Sequence, residues 1–253
     1  MRTPSDTPHT AGPSEKDLEG IRRYDTCTVS NAIERFDVRL RNEGFANGSI
    51  HCRFRDFAPM LGHAVTARIH TSAPPMTGQC YYDRVDWWRY VTTIPEPRVI
   101  VLQDADHPPG IGAFVGEIHA QIALALGCVG CVTNGAVRDL PAIRAIGFHL
   151  FSGCLSVSHA YAHIVDFGQP VEIGGLKIHP ADLLHGDRHG VQSVPLSIAA
   201  QIPKVASELL AEERQLIDLC QSPEFSIDKL ASLIEERSKP ARNNIRKTYE
   251  STR

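Results

Sequence analysis

The chain has 253 residues, of which 42% are hydrophobic and 22% charged, and this is enough for the packed core of one domain. Its formal net charge of −3 gives no global electrostatic reason to bind nucleic acid. No apolar run approaches the roughly 18 residues that predict a membrane span. The seven cysteines are odd in number and scattered, which favours reduced thiols in a cytoplasmic protein over a disulfide framework.

The N-terminal segment 1–14 is rich in Pro, Ser and Thr and lacks the hydrophobic stretch of a secretory signal. We predict a disordered lead over 1–14, followed by a single domain over 15–253. The last part of that domain, from about 198 to 253, is predicted to be a helical tail with a break at Ser222-Pro223.

The first half of the domain mixes helical and strand patterns. Helices are predicted over 15–24 and 28–36, and Thr28 is the candidate N-cap of the second. Alternation and β-branched residues predict a strand over 60–71. Two tryptophans among charged residues indicate a helix over 75–93.

The centre of the chain alternates strands with helices, and the connections are only a few residues long. The predicted order is a strand at 98–106, a helix from Gly116 ending before Gly127, a strand at 128–133 with a turn at Asn134-Gly135, a helix from Asp139 to Gly147, and a strand at 148–153. This βαβαβ order predicts an α/β fold with parallel strands. Gly174-Gly175 then predicts a hairpin, and 190–196 one more strand.

Two segments at the predicted carboxyl ends of strands carry candidate chemistry. Gly116-Glu117-Ile118-His119 opens a helix, where free backbone N–H groups attract a carboxylate or phosphate. Arg138 and Asp139 are adjacent, so we expect them to serve different atoms of a third group. Arg138 suits a carboxylate, and Asp139 suits a hard cation such as Mg²⁺. The plainer alternatives are an ordinary glycine loop at 116–119 and an N-cap at Asp139.

Three other groups of metal-binding residue types are given structural interpretations. The segment 185–190, HGDRHG, fits a glycine-rich turn better than a zinc site. His159 and His163 have the spacing of helical zinc ligands but lack the glutamate of HExxH. Cys128 and Cys131 lie in a predicted strand, where this spacing points to opposite faces, so we interpret them as buried thiols.

Four segments in chain order resemble motifs of the RraA-like family, which includes class II pyruvate aldolases acting on 4-hydroxy-4-methyl-2-oxoglutarate. They are Thr28–Ile33, Leu61–Ala67, Gly116–Ala120 and, most specifically, Gly127–Asp139. The resemblance implies a swivelling-type α/β/α domain with a mixed, partly parallel sheet. It also implies a homotrimer or homohexamer whose sites lie between subunits.

The resemblance also assigns roles at the site. Arg138 would bind the substrate carboxylate, and Asp139 would hold Mg²⁺, Mn²⁺ or another divalent metal directly. Glu117 would hold the metal through water, and the N–H groups after Gly116, on Ile118 and His119, would meet the pyruvyl carboxylate. Glu212 or Glu213 of a neighbouring subunit would complete the metal shell.

Within the segments that resemble the family, this chain departs from the family pattern at three positions. Asn134 and Asn31 stand where the family has Asp, and His119 replaces an aliphatic residue and adds a titratable group beside the substrate. The function expected is a metal-dependent lyase on a small 2-oxo acid, by aldol cleavage or oxaloacetate decarboxylation. The alternatives are a non-catalytic regulator of an RNA-processing endonuclease, and a hydrolase or isomerase of another oxo or hydroxy acid.

Overall fold

The computed structural model describes residues 13–76 and 84–236, and the chain divides into two compact units, 1–206 and 207–253. Most of the predicted disordered lead, 1–12, lies outside the described residues. Ser14, at its end, is the N-cap of the first helix and accepts a hydrogen bond from the backbone N–H of Asp17.

The helices and strands of the described residues follow the predicted alternation. The helices are α1 Glu15–Arg22, α2 Thr26–Glu34, α3 Val85–Val91, α4 Glu117–Ala125, α5 Leu140–Ala145 and α6 Ile202–Gln221, with a short 3-10 helix at Ala199–Gln201. The strands are β1 His51–Cys52, β2 Met60–His70, β3 Arg98–Asp104, β4 Ala113–Val115, β5 Cys128–Val137, β6 His149–Leu155, β7 His163–Phe167, β8 Val171–Ile173, β9 Leu176–Ile178, β10 Leu183–Asp187 and β11 Gly190–Val194. Residues 227–236 are also helical.

One mixed sheet organises the described part of the first unit, with strand order β1-β6-β5-β3-β2-β10-β11. The neighbours β2, β3, β5 and β6 run parallel, as the βαβαβ pattern predicts. Antiparallel pairs flank them, with β1 on β6 and β10 on β2. Two strands lie off this path, since β4 pairs with β5 and β7 with β2. The predicted mixed, partly parallel α/β sheet is therefore confirmed.

Both faces of the sheet are buried by apolar side chains. One face packs against α3, α4 and α5 through Trp87, Ala120 and Ile143, all fully buried. The hairpin β8–β9 covers the other face with Ile173 and Ile178, also fully buried. Burial on both faces explains why the parallel strands read as nearly continuous apolar runs.

The start of α2 differs from the prediction. The N-cap is Asp25 rather than Thr28, and its carboxylate accepts the backbone N–H of Thr28 at 2.7 Å. The helix therefore begins three residues earlier than a Thr28 cap would place it, and Asp25 satisfies the free N–H of the third helical residue. The helix predicted over 75–93 is shorter, Val85–Val91, and part of its predicted range, 77–83, lies outside the described residues.

The predicted turn at Asn134-Gly135 is wrong, because β5 continues through it to Val137. The first half of β5 pairs with β3, and Ala136 and Val137 pair with β4. Asn134 lies between these two halves. Its side-chain oxygen accepts the Asp104 N–H at 2.7 Å, and its side-chain nitrogen donates to the Asp104 carbonyl at 2.9 Å. The amide thus replaces a backbone partner where β3 ends.

Three further predictions are confirmed. Gly127 follows α4 with φ of 73°, the left-handed conformation expected after a helix. Gly174 and Gly175 both have positive φ and join β8 to β9, as the hairpin signal indicates. Helix α6 ends at Gln221, directly before the predicted break at Ser222-Pro223.

Candidate functional site

The candidate site is built where β4 and β5 end side by side. Because these strands are parallel neighbours, their carboxyl ends bring the start of α4 next to the residues that follow β5. The backbone N–H of Arg138 donates to the Val115 carbonyl at 3.1 Å and fixes this junction. The structure therefore brings Gly116 and Glu117 together with Arg138 and Asp139, as predicted, at the edge of the sheet where α/β proteins bind ligands.

Asp139 has an unusual backbone, and this decides where its side chain points. It occupies the N-cap position of α5 with φ of 58° and ψ of 34°, in the left-handed region, and its side chain does not cap α5. Instead its Oδ2 atom accepts the backbone N–H of Glu117 at 3.0 Å. Asp139 therefore caps the neighbouring helix α4, and the predicted N-cap role is correct for its position but not for its side chain.

Arg138 and Asp139 approach each other more closely than adjacent residues were expected to do. Nε of Arg138 lies 3.5 Å from Oδ2 of Asp139, which the left-handed backbone at Asp139 permits. Their side chains keep 35% and 40% exposure, so both present free edges to solvent. A guanidinium and a carboxylate held together in this way can bind two different parts of one polar ligand.

The glycine at position 116 matters at this junction because of space rather than backbone strain. A Cβ atom there would lie 2.6 Å from Oδ2 of Asp139 and 3.0 Å from Nε of Arg138. Its φ of −123° is open to any residue. The absence of a side chain therefore lets the carboxylate and the guanidinium close over the first turn of α4.

Ile118 and His119 both lie in the first turn of α4, but their side chains differ in exposure. The Ile118 side chain is 60% exposed, whereas His119 is fully buried, with its ring edge-on to Phe114 at 4.8 Å between centroids. Burial lowers the pKa of His119 to about 3, so its imidazole is neutral near pH 7. The expectation that His119 adds a titratable group beside the substrate is wrong, because this position faces the core. Only its backbone N–H belongs to the helix start.

The donor set fits a hard divalent cation. Asp139 and Glu117 offer carboxylate oxygens, the ligands that Mg²⁺ prefers, and both residues are solvent-accessible. Within residues 13–76 and 84–236, no group of three or more His, Cys, Asp or Glu side chains is placed to hold a metal ion. A cation here would thus complete its shell with water or with groups from outside this part of the chain.

Glu212 and Glu213, expected from a neighbouring subunit, lie near the middle of α6 in the second compact unit. Both are partly buried. Their role in a metal shell stays a prediction.

The other candidate clusters have structural roles. His185 lies on β10 and is fully buried, and Asp187 accepts bonds from the backbone N–H groups of His189 and Thr26 at 2.8 Å each. This confirms turn chemistry at 185–190. His159 lies in a turn and His163 begins β7, so the pair does not share a helix.

Cys128 and Cys131 are buried thiols, as predicted, but they do not face opposite sides of the sheet. A register shift between β3 and β5 aligns Arg98 with Cys128 and Val99 with Gly130, which leaves Val129 as an extra residue. This bulge places both sulfurs in the apolar layer beneath the helices. Burial raises the pKa of Cys128 to about 12 and that of Cys131 further.

Sequence reasoning gave 98–106 only as a strand and missed what its last residue does. Asp106 is buried and accepts hydrogen bonds from the side chains or backbone of His70, Thr71 and Ser72. Two acids directly after an apolar strand, Asp104 and Asp106, were the available signal, because strand ends of this kind gather at one edge of a parallel sheet.

These features define an α/β protein whose candidate ligand site lies at the carboxyl ends of parallel strands. The sequence model of the RraA-like family, described as aldolase/RraA, matches residues 26–192 of this chain. The chain therefore belongs to the RraA-like family. The matched range includes every predicted site residue of the first unit and excludes Glu212 and Glu213.

The chain is 28% identical over 123 residues to a protein of Halalkalibacterium halodurans named "Putative 4-hydroxy-4-methyl-2-oxoglutarate aldolase". That match covers 47% of this chain and 59% of the relative, so it spans less than two thirds of the relative's length.

Solved structures share the fold. An uncharacterized protein from Pseudomonas syringae pv. tomato has a TM-score of 0.65 at 22% identity, over 87% of this chain and 99% of that one. RraAS2 of Streptomyces coelicolor, described as an unusual member of the RNase ES inhibitor RraA protein family, has a TM-score of 0.61 at 20% identity, over 82% and 98%. At these identities the likeness supports the fold alone.

In the described ranges, no helix combines the length and the apolar character needed to cross a membrane.

Proposed function

We propose that this protein is a divalent-metal-dependent carbon–carbon lyase that acts on a small 2-oxo acid. The observation that carries the proposal is the placement of Asp139 and Arg138 over the first turn of α4. Membership of the RraA-like family and the relative named as an aldolase support the same class of reaction. The substrates proposed are of the 4-hydroxy-4-methyl-2-oxoglutarate type, oxaloacetate, or both.

Arg138 binds the carboxylate of the 2-oxo acid. Its guanidinium can donate two parallel hydrogen bonds to a carboxylate, and it is half exposed at the mouth of the site. The amide of Ile118 lies in the first turn of α4, where helix N–H groups point outward and the positive end of the dipole favours an anion. The two groups together would hold the pyruvyl end of the substrate.

Asp139 holds the cation, Mg²⁺ or Mn²⁺, with Glu117 acting through water and Glu212 or Glu213 from a neighbouring subunit completing the shell. Such an ion, when bound, acts as a Lewis acid on the 2-oxo group. Because Oδ2 of Asp139 is already fixed by the Glu117 N–H, the carboxylate has a set orientation before any ion arrives. This preorganisation lowers the cost of binding.

Residues of this chain then stabilise the negative charge that forms during cleavage and move the proton of the 4-hydroxyl group. Cleavage breaks the bond between C3 and C4 of the acid, and its electron pair moves to C3 and the 2-oxo oxygen to give the enolate of pyruvate. Arg138 and the start of α4 stabilise that negative charge. In aldol cleavage Glu117, through a water molecule, accepts the proton of the 4-hydroxyl group. A proton then returns to C3 and gives pyruvate.

Oxaloacetate fits the same scheme. Loss of its C4 carboxylate as CO₂ leaves the same enolate, so one site would support both reactions. The proposal includes a homotrimer or homohexamer, because Glu212 or Glu213 would act across the boundary between subunits. It also places the protein in the cytoplasm.

Two other functions are kept as alternatives. The first is a non-catalytic regulator of an RNA-processing endonuclease; RraAS2, which shares the fold, is described as an unusual member of an RNase ES inhibitor family. A hydrolase or isomerase of another oxo or hydroxy acid would use the same anion-binding helix start.

The test is release of pyruvate from 4-hydroxy-4-methyl-2-oxoglutarate and from oxaloacetate, with Mg²⁺ and with a chelator. Asp139→Ala and Arg138→Ala are expected to abolish metal-dependent release, and Arg138→Lys to reduce it strongly because lysine lacks the planar fork. Arg41→Ala and Asp218→Ala, at side chains that are 81% and 56% exposed, are controls. Release that persists in Asp139→Ala would refute the assignment, and no release from a Mg²⁺-binding protein would favour another substrate class.

A further inference from the structure

A second pair of potential metal ligands lies away from Asp139, at the end of β2. In the antiparallel pair of β2 and β7, His70 is directly opposite His163. Their ring centres are 6.1 Å apart, with the ring planes at 41°. Residues directly opposite in such a pair project to the same face of the sheet. The two imidazoles therefore lie on one surface as neighbours.

Hydrogen bonds fix the same tautomer in both rings. Nδ1 of His70 lies 2.8 Å from Oδ1 of Asp106, and Nδ1 of His163 lies 2.7 Å from the Tyr161 carbonyl. Both partners are acceptors only, so each Nδ1 atom carries a hydrogen and donates it. Each neutral ring then presents the lone pair of Nε2. Among the described residues, no hydrogen bond involves either Nε2 atom.

Asp106 is itself held rigidly. In addition to His70, it accepts hydrogen bonds from the backbone N–H and hydroxyl groups of Thr71 and Ser72. Burial acts to raise its pKa, but the hydrogen bonds outweigh burial and keep the pKa well below its ordinary value. The carboxylate is thus ionised and fixed, which orients the ring of His70. A histidine that donates Nδ1–H to a carboxylate or carbonyl is the usual arrangement of a metal-binding imidazole.

There is space and a suitable charge balance in front of the two rings. Both line a groove of about 840 Å³, together with Asp106, Arg84 and Asp86. The guanidinium of Arg84 is paired with the Asp86 carboxylate at 3.0 and 3.1 Å, which offsets its charge. A cation in the groove therefore does not meet an uncompensated positive side chain there.

We propose that His70 and His163 form an open two-imidazole site for a first-row transition-metal cation such as Ni²⁺, Cu²⁺ or Zn²⁺. Two rings on one ion lie with centres roughly 5 to 6 Å apart, given metal–nitrogen distances of about 2.0–2.1 Å, and the observed separation of 6.1 Å is slightly above this range. Imidazole nitrogen prefers these ions to Mg²⁺, so the site differs in chemistry from Asp139. Water or an incoming ligand fills the other positions.

This inference does not depend on the proposed lyase activity. The probe is Ni²⁺, titrated by calorimetry in excess Mg²⁺, which competes for the carboxylates of Asp139 and Glu117, into protein stripped of transition metals whose accessible thiols, including the exposed Cys27 and Cys220, have been alkylated. We expect one saturable site in the parent. His70→Gln and His163→Gln should each weaken it at least about tenfold, and the double variant should lose little more, because two ligands of one ion act together.

Two controls and a second measurement make the test decisive. His159→Gln, at an exposed histidine of the neighbouring turn, and Asp139→Asn should leave Ni²⁺ affinity unchanged. Paramagnetic Ni²⁺ should broaden the ring proton resonances of His70 and His163 before those of other histidines. Absence of saturable binding in the parent, unchanged affinity in either single variant with a native circular dichroism spectrum, or first broadening elsewhere would overturn the proposal.

Discussion

The carboxylate of Asp139 caps a helix that is not its own, because its Oδ2 atom lies 3.0 Å from the backbone nitrogen of Glu117. The contact joins the second residue after β5 to the first residue of α4. It fixes one oxygen of Asp139 and orients the other, so the geometry proposed for cation binding belongs to the folded chain itself. A substitution that disturbs this hydrogen bond should lower the activity more than it lowers the free energy of unfolding.

Substitution of Gly116 tests this directly. In Gly116→Ala the new Cβ would meet Oδ2 of Asp139 at 2.6 Å and displace it, while the backbone angles remain acceptable. We expect kcat/KM for pyruvate release to fall about 100-fold, since displacements near 1 Å at a reacting centre have effects of this size. Gly48→Ala, at a position where a Cβ meets nothing within 4 Å, is the matched control. Equal activity of both variants would contradict the role of Gly116.

The burial of His119 predicts a defined dependence of stability on pH. Its pKa in the folded protein, about 3, is below the ordinary value of 6.5. Below pH 6.5 the unfolded chain therefore binds more protons here, so the free energy of unfolding falls as the pH drops from 6.5 toward 3. From about pH 7.5 to about pH 5 this residue should account for a loss of about 2 kcal/mol.

The measurement is urea unfolding of the parent and of His119→Leu at the two pH values. Between the two pH values, the free energy of unfolding should decrease less in His119→Leu than in the parent, whatever the stability of the variant at neutral pH. His149 and His185, whose pKa values burial lowers to about 4, contribute in the same direction and remain in both proteins. Identical decreases in the two proteins would show that His119 titrates normally in the folded state.

Asn134 should be difficult to replace with aspartate. In Asn134→Asp the oxygen can still accept the Asp104 N–H, but the donor to the Asp104 carbonyl is lost. We expect a destabilisation of about 1–3 kcal/mol in urea unfolding, the usual effect of leaving a buried polar group unsatisfied. Asn31→Asp, at an exposed position of α2, should change stability by less than about 0.5 kcal/mol.

Thiol reactivity should separate the described cysteines into classes. Cys27 and Cys220 are exposed, whereas burial raises the pKa of Cys128 to about 12 and leaves little thiolate at neutral pH. Brief alkylation of the native protein, mapped by mass spectrometry, should label Cys27 and Cys220 and spare Cys128 and Cys131. Urea should expose all four. Rapid native labelling at Cys131 would show that the bulged end of β5 opens readily.

The alternation of β3, α4, β5, α5 and β6 could be predicted from the sequence because its signals are local. Apolar runs of strand length, a glycine after a helix and proline in a first turn act within a few residues. The candidate site followed from the same pattern, since parallel strands place their carboxyl ends at one edge.

The features that local sequence patterns could not predict depend on contacts between distant segments of the chain. Asn134-Gly135 has the composition of a turn, but pairing with β4 and the amide bridge to Asp104 keep it in the strand. The bulge at Val129 reverses the facing of Cys128 through pairing with β3. The left-handed backbone of Asp139 likewise has its effect through a distant contact, because the side chain that it directs accepts the N–H of Glu117, 22 positions earlier in the chain.

The division of β5 into two halves has a consequence for local opening. Residues 130–133 pair with β3 and β6 in the middle of the sheet, whereas Ala136 and Val137 pair with the end of β6 and with the short strand β4. Since amide exchange reports cooperative units of different stability, the second half can open while the first stays protected. Occupation of the site should therefore slow exchange at 136–139 and leave 130–133 unchanged, so the same strand contains both the responding amides and their internal reference.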